Sequence, residues 1–198
     1  MLENAMNSLL ETIVERRTIR RYAPRQLDPQ TLQQILEAGL YAPTGGGRQS
    51  PVLLVCRDRA INEQLGRLNR TLFGKANSDG IRFVSQAQRS IADDDSIRSG
   101  FYDAPTVVTL FAPRRWLYGI HDCTATAVTM SLAAWSLGVG SCYVSRAEET
   151  FDSELGRQVM AQAGIGAEYV ARVCLCLGYP AGEAGPPKPR RRERVKFL

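Results

Sequence analysis

The hydrophobic pattern of the chain begins with an amphipathic helix. Met6, Leu9, Leu10, Ile13 and Val14 recur at intervals of three and four, which places them on one face of a helix. Arginines follow directly, so we expect the helix to end at that cluster.

A second helix is indicated by capping residues as well as by periodicity. Asp28 supplies an N-cap, and Pro29 fits the first helical position, where no backbone N–H is needed. The apolar stripe consists of Leu32, Ile35, Leu36 and Leu40. Pro43 and the three glycines that follow predict the end of the helix.

Short runs of apolar and β-branched residues predict four strands. They are Val52–Cys56, Thr106–Phe111, Ser141–Val144 and Val170–Gly178. A polar helix from about residue 60 to 69 separates the first two.

The remaining segments differ in how regular they are. Residues 122–137 are apolar or small on nearly every side, which predicts a helix, capped by Asp122, in the middle of the protein. Residues 151–163 predict a further helix, whereas residues 71–103 predict irregular structure with room for short helices. Residues 180–189 are rich in proline and glycine and predict an extended linker, after which residues 195–198 fit a strand at the edge of a sheet, in this chain or another.

Composition changes this picture mainly through charge. The chain of 198 residues is 44% hydrophobic, which is ordinary for a single folded domain. No apolar stretch suits a membrane span and no signal peptide is evident, so we expect a cytoplasmic protein. The net charge of +5 comes from residues 15–25 and 186–198, and the rest of the chain is net negative. Two compact basic segments fit one small anion better than a broad nucleic-acid surface.

The cysteines and the histidine offer little chemistry of their own. Five cysteines without CxxC spacing argue against a disulfide framework and a zinc site. Cys174 and Cys176 alternate in an apolar run and should share one face of a buried strand. His121 is the single histidine and lacks a nearby nucleophile motif, which favours a structural role and disfavours a triad or a metal site.

Two glycine clusters leave alternatives open. "GVGSC" at residues 138–142 contains part of a dinucleotide-binding pattern but does not open a helix, which disfavours a Rossmann site. "APTGGGRQSP" at residues 42–51 fits a flexible loop, or a backbone that packs against a ring or polyol with Thr44 and Gln49 as polar partners.

The first basic segment has an internal alternation. In extended chain, Arg16, Thr18 and Arg20 point the same way and present two guanidinium groups and a hydroxyl to one ligand. Arg17 and Arg21 would then point elsewhere. Solvated arginines are the alternative.

Four motifs in order give the chain a family resemblance. "ERRTIRRY", "ILEAGLYAPTGGGRQSP", "LGVGSCYV" and "LGYPAGEAGPPKPR" together resemble the nitroreductase family of FMN-dependent oxidoreductases, over most of the chain. By this resemblance, the residues expected to bind FMN are Arg16, Arg17, Thr18 and Arg20; Pro43, Thr44, Gly45 and Gln49; Gly138, Val139, Gly140 and Ser141; and Lys188 and Arg190. Gly47 stands where the family has Asn, and Ser50-Pro51 replaces Pro-Trp.

The resemblance also implies a fold and an activity. The fold would be α+β, a mixed and largely antiparallel sheet flanked by helices in one domain of residues 1–198. Two chains would form an intertwined homodimer in which residues 180–198 reach the partner as an arm. The activity would be a ping-pong transfer of hydride from NADH or NADPH, through flavin N5, to a nitroaromatic, quinone or similar flat acceptor. The chemistry would belong to the cofactor, and no catalytic side chain, metal, nucleic acid or membrane partner is expected.

Other functions fit the same motifs. A specialised member of the family, similar to reductive dehalogenases or flavin-fragmenting enzymes, would differ in residues 71–103. A non-catalytic flavin-binding or redox-sensing module is a further alternative. A nucleic-acid binder is disfavoured because the basic segments lack interleaved aromatic residues.

Overall fold

The structure is a computed structural model that describes residues 8–74 and 86–198. The helices are Ser8–Glu15 (α1), Pro29–Leu40 (α2), Arg59–Thr71 (α3), Gly119–Ser136 (α4), Ala147–Phe151 (α5) and Glu154–Gln162 (α6). The strands are Val52–Cys56 (β1), Thr106–Pro113 (β2), Gly140–Val144 (β3) and Tyr169–Gly178 (β4). All four predicted strands and the helices near residues 32 and 65 are therefore confirmed.

The strands form one sheet in the order β1-β2-β4-β3, and each neighbouring pair is antiparallel. A single parallel contact, the isolated bridge between Thr18 and Ser141, adds the N-terminal segment to the edge strand β3. The architecture is α+β, an antiparallel sheet flanked by helices.

Helices cover both faces of the sheet. On one face, Leu175 of β4 packs with Met130 of α4 and Ile35 of α2. On the other face, Cys174 and Cys176 belong to the cluster that contains α5 and α6. The two cysteines thus share one buried face, as alternation predicted.

Local signals account for the start of α2. The carboxylate of Asp28 accepts a hydrogen bond of 2.8 Å from the Thr31 N–H, and Pro29 occupies the first turn. This N-cap satisfies a backbone donor that a helix start leaves without an internal partner.

The helix predicted over residues 151–163 is confirmed as α6, but its predicted start is wrong. Helix α6 begins at Glu154, and Phe151 ends the separate short helix α5. The Ser153 hydroxyl accepts from the Gly156 N–H at 3.0 Å, so a new N-cap restarts the helix inside an otherwise continuous pattern.

The prediction that Asp122 caps the central helix is also wrong. Helix α4 begins at Gly119, and the residue before it, Tyr118, makes no side-chain cap. Asp122 lies in the first turn and is buried, because its carboxylate serves groups outside the helix. The sheet and α2 pack against α4, but Val128 of α4 is half exposed in this single chain.

The irregular parts of the chain follow their predictions in part. Residues 86–103 contain turns and bends without a helix or strand. Two parts of the predictions lie outside the described residues. They are residues 75–85 of the irregular segment 71–103, and Met6 of the first helix. The tail contains a short 3₁₀ turn at Arg192–Arg194, and residues 195–198 join no strand among the described residues.

Candidate functional site

The site is built around residues 16–23, here called the arginine strap. Its first half lies beside β3: the Ile19 N–H donates to the Ser141 carbonyl at 2.9 Å, next to the Thr18–Ser141 bridge. A Cβ on Gly140 would lie 2.7 Å from the Cβ of Ile19, so only glycine admits this approach. The structure thereby brings the arginine motif against the glycine motif of residues 138–141.

The second half of the strap pairs with the chain that leaves β4. The Ala23 N–H donates to the Tyr179 carbonyl at 2.8 Å, and the Ala181 N–H donates to the Arg21 carbonyl at 2.9 Å. Tyr22 and Pro180 form the antiparallel bridge between them. The strap therefore spans the distance from the glycine turn to the start of the C-terminal arm, residues 180–198.

The two basic segments of the sequence meet at this place. Burial lowers the pKa of Arg16, and the charges of Arg17 and Arg190 lower it further. Burial and Arg190 likewise lower the pKa of Arg17. Arg190 also donates to the carbonyl of Lys188 at 3.2 Å. The charge of Arg190 thus acts on both Arg16 and Arg17, and the three guanidinium groups form a positive site that an anion would stabilise.

Arg17 has a second task at the end of α1. Its guanidinium donates to the carbonyls of Val14 and Arg16 at 2.7 and 2.9 Å, where a helix end leaves carbonyls without internal partners. Its Nε is buried and has no hydrogen-bond partner among the described residues.

Arg20 is turned towards the irregular segment. Its Nη1 donates to the Gln88 carbonyl at 2.8 Å, and its guanidinium carbon lies 5.7 Å from the centre of the Tyr102 ring. Its buried Nε has no partner among the described residues. Arg21, by contrast, is exposed.

The glycine turn after α4 leaves open backbone. Gly138 has φ of +71°, and a Cβ there would meet nothing within 4 Å. Val139 is buried and donates its N–H to Ala134 at 2.8 Å, which closes the helix end. A flat ligand can therefore approach the Gly138 backbone closely.

The glycine-rich loop, residues 43–51, has an unusual backbone. Gly46 and Gly47 lie in the left-handed region with φ of 61° and 65°, and Gln49 joins them at 50°. A positive φ is energetically costly for Gln49 because it carries a side chain. The Thr44 hydroxyl accepts a hydrogen bond from the backbone N–H of Gln49 at 2.9 Å. The loop is thus ordered by its own contacts, although its composition also fits a flexible segment.

Asp122 anchors this loop to α4. Its carboxylate accepts from the Gly45 N–H at 2.8 Å, from the Ser50 hydroxyl at 2.6 Å and from Trp116 Nε1 at 2.8 Å. Burial alone would raise the pKa of this carboxyl, but the bonds from Ser50, Trp116 and Gly45 outweigh it and hold the pKa below its ordinary value. Sequence reasoning missed this role; an acidic residue in the first turn of an otherwise apolar helix was the available signal.

Other candidate chemistry is sparse in the described residues. His121 is exposed, and its ring centre lies 6.5 Å from that of Tyr118. The five cysteines are free thiols. In residues 8–74 and 86–198, no three His, Cys, Asp or Glu side chains are grouped so as to hold a metal ion, and no helix is long and apolar enough to span a membrane.

Comparison with known proteins is consistent with this geometry. The model of the Nitroreductase family matches residues 13–179. A protein of Archaeoglobus fulgidus, named as a candidate NADH dehydrogenase/NAD(P)H nitroreductase, is 27% identical over 90% of this chain and 88% of its own.

Solved structures agree over nearly the whole chain. A nitroreductase of Bacteroides fragilis with bound FMN is 27% identical, with a TM-score of 0.78 over 97% of this chain and 99% of that one. A nitroreductase of Desulfitobacterium hafniense with bound FMN shares the fold at 21% identity, with a TM-score of 0.80 over 98% and 99% of the two chains. The protein belongs to the nitroreductase family.

Proposed function

We propose that the protein is an FMN-dependent oxidoreductase that takes electrons from NADH or NADPH and passes them to flat, electron-poor acceptors such as nitroaromatics or quinones. The observation that carries the proposal is the positive site of Arg16, Arg17 and Arg190 beside the open glycine turn. It combines a phosphate-binding chemistry with a surface that a ring can approach.

The residues present fit FMN in their donor chemistry. Arg16, Arg17, Lys188 and Arg190 would hold the phosphate, and Thr18 and Arg20 would bind the ribityl chain and the polar edge of the flavin. The backbone of residues 138–141 would lie against the ring. Orphaned guanidinium nitrogens on Arg17 and Arg20 support this assignment, since buried donors in folded proteins normally have partners.

FMN, when bound, supplies hydride acceptance and donation at N5, in a ping-pong cycle with the two substrates. The protein would bind and orient it, and no side chain is assigned a proton transfer. FMN-bound relatives and the NAD(P)H in the name of the A. fulgidus protein support this cofactor and donor.

We also propose that the active unit is a homodimer. Helix α1 has no buried residue, and its exposed apolar side chains are Leu9, Leu10, Ile13 and Val14. Together with Val128 on α4 they form apolar surface that a second copy would cover. Residues 180–198 would extend to the partner as an arm from one domain of residues 1–198.

The glycine-rich loop would serve the partner's flavin. Its described hydrogen bonds go to itself and to Asp122. Those of the strap go to α1, to β3, to the chain at the end of β4, to Gln88 and to the strap itself. Pro43, Thr44, Gly45 and Gln49 would thus contact the cofactor across the dimer interface.

The test begins with the colour of the purified protein. We expect a yellow dimer that releases FMN on denaturation, is bleached anaerobically by NADH or NADPH, and is reoxidised by a quinone or nitroaromatic. A colourless protein that does not bind added FMN would overturn the proposal. Bound FMN without turnover of either nicotinamide would favour a flavin-binding or redox-sensing module instead.

A further inference from the structure

Gln88 is a buried amide in a segment that has no regular structure. It is 2% exposed and lies in residues 86–103, between the arginine strap and the start of the C-terminal arm. Burial of an amide is unfavourable unless its oxygen and its nitrogen both find partners.

Both ends of this amide are used, and for different segments. The side-chain oxygen accepts from the backbone N–H of Arg20 at 2.6 Å and of Arg21 at 3.2 Å. The side-chain nitrogen donates to the Glu183 carbonyl at 3.1 Å. The backbone carbonyl of Gln88 accepts a further hydrogen bond, from the Arg20 guanidinium, at 2.8 Å.

Gln88 therefore contacts Arg20 twice, once at its backbone and once at its side chain. The first contact fixes where the strap runs, and the second directs the guanidinium. The contact with Glu183 lies two residues beyond the Ala181–Arg21 hydrogen bond. The start of the arm is therefore held at Ala181 by the strap and at Glu183 by Gln88.

We propose that Gln88 is a positioning residue that orients Arg20 for flavin binding and fastens the start of the C-terminal arm to the arginine strap. The flavin part of this inference rests on the proposed function. It gives the irregular segment of residues 86–103 a defined task, because one amide there joins the arginine strap to the start of the C-terminal arm.

The two tasks of the side chain separate by substitution, since the strap N–H groups and the Glu183 carbonyl use opposite ends of the amide. The backbone carbonyl that accepts from the Arg20 guanidinium stays in every variant. Gln88→Leu removes the oxygen and the nitrogen at similar volume. Gln88→Glu keeps an acceptor for the Arg20 and Arg21 N–H groups but places a second acceptor against the Glu183 carbonyl. Gln86→Leu is the matched control, because Gln86 is exposed and lies outside this contact network.

Two measurements report the two tasks. Affinity for FMN and for riboflavin, from fluorescence titration of the apoprotein, reports Arg20. Amide hydrogen exchange of the peptide covering residues 181–185 reports the arm. Circular dichroism establishes that each variant is folded, and if Gln88→Leu does not fold, the comparison of Gln88→Glu with wild type carries the test through its split between the two readouts.

We expect Gln88→Leu to weaken FMN binding by about tenfold and to accelerate exchange at residues 181–185 by a similar factor, as loss of buried hydrogen bonds implies. Gln88→Glu should restore the affinity for riboflavin, which lacks the phosphate that a carboxylate at position 88 would oppose, to within about threefold of wild type while exchange stays fast. Gln86→Leu should change neither.

The inference is overturned if Gln88→Leu leaves FMN affinity unchanged, or if Gln88→Glu and Gln88→Leu shift both readouts in parallel, as a purely structural role would require. A wild-type protein that binds no FMN would instead refute the proposed function. The exchange measurement would in that case still decide the contact with the arm.

Discussion

The two loops of the candidate site are held by different chemistry. The glycine-rich loop is anchored by a buried carboxylate, Asp122, whereas the arginine strap is anchored by backbone pairing and by a neutral amide, Gln88. An anionic anchor near a cluster of arginines on the strap would compete with an anionic ligand for their charge. A neutral anchor leaves the charge of the arginines available to the ligand. The Asp122 carboxylate, in the other loop, accepts hydrogen bonds only from neutral donors.

The largest expected effect is on the loop. Asp122→Ala removes the buried acceptor of three hydrogen bonds and leaves partly buried donors without that partner, which should lower the free energy of unfolding by about 3 kcal/mol. Urea denaturation measures the change.

Asp152→Ala is a control for loss of a surface carboxylate. Asp152 is exposed and lies 3.7 Å from Arg114, so its removal should cost less than about 1 kcal/mol. Equal losses for the two variants would contradict the anchoring role of Asp122.

The strap should show its largest effect in binding rather than in stability. Arg190→Ala removes one member of the positive site and should weaken FMN binding by about 2 kcal/mol, the range for a hydrogen bond to a charged group. Titration with FMN and with riboflavin, which lacks the phosphate, measures it.

Riboflavin affinity should hardly change in that variant, and the exposed Arg192→Ala should leave both affinities as they are. A parallel loss of FMN and riboflavin affinity would mean that Arg190 acts on the fold and not on the phosphate.

A smaller effect is expected where the strap meets the glycine turn. Gly140→Ala forces a Cβ against the side chain of Ile19 and should cost about 1.5 kcal/mol of stability. In an Ile19→Ala background the same substitution should cost much less, so a double-mutant cycle by urea denaturation measures the contact. Additive costs would show that strap and turn do not touch in solution.

Acid should loosen the glycine-rich loop. The pKa of Asp122 is lowered in the folded protein, so its ionised form contributes stability at neutral pH that is lost as the pH falls below about 4 and through the folded pKa. Because protonation leaves the carboxyl group in place, this loss should be smaller than that from truncation. Asp122→Asn should remove this contribution from the pH dependence of unfolding; an unchanged curve would contradict it.

The sequence could predict the elements whose signals are local. Periodicity and the Asp28 cap indicate α2, and alternation places Cys174 and Cys176 on one face of β4. The excess charge of two short segments predicted that they would converge, and Arg190 is near enough to Arg16 for its charge to lower the pKa of Arg16. The anion between them stays a prediction.

Contacts between distant segments could not be predicted in the same way. Asp122 has the sequence of an N-cap, yet its partners Gly45 and Ser50 belong to another loop. Gln88 lies in a segment without periodicity, and only its burial between two other segments reveals its use. Ser153 is the exception, since an N-cap residue inside the predicted helix was a local signal for the break.

The pairing of the strap has a consequence for how the protein is made. Thr18 and Ile19 leave the ribosome early, but Ser141 and Tyr179, against which the strap lies, are synthesised late. Contacts between residues so far apart in sequence form slowly. A growing chain cannot form them at all until the later residue of each pair has been synthesised. The ligand site would thus be assembled only after β4 has been synthesised, and a nascent chain that stalls before β4 would have no place to bind the proposed FMN.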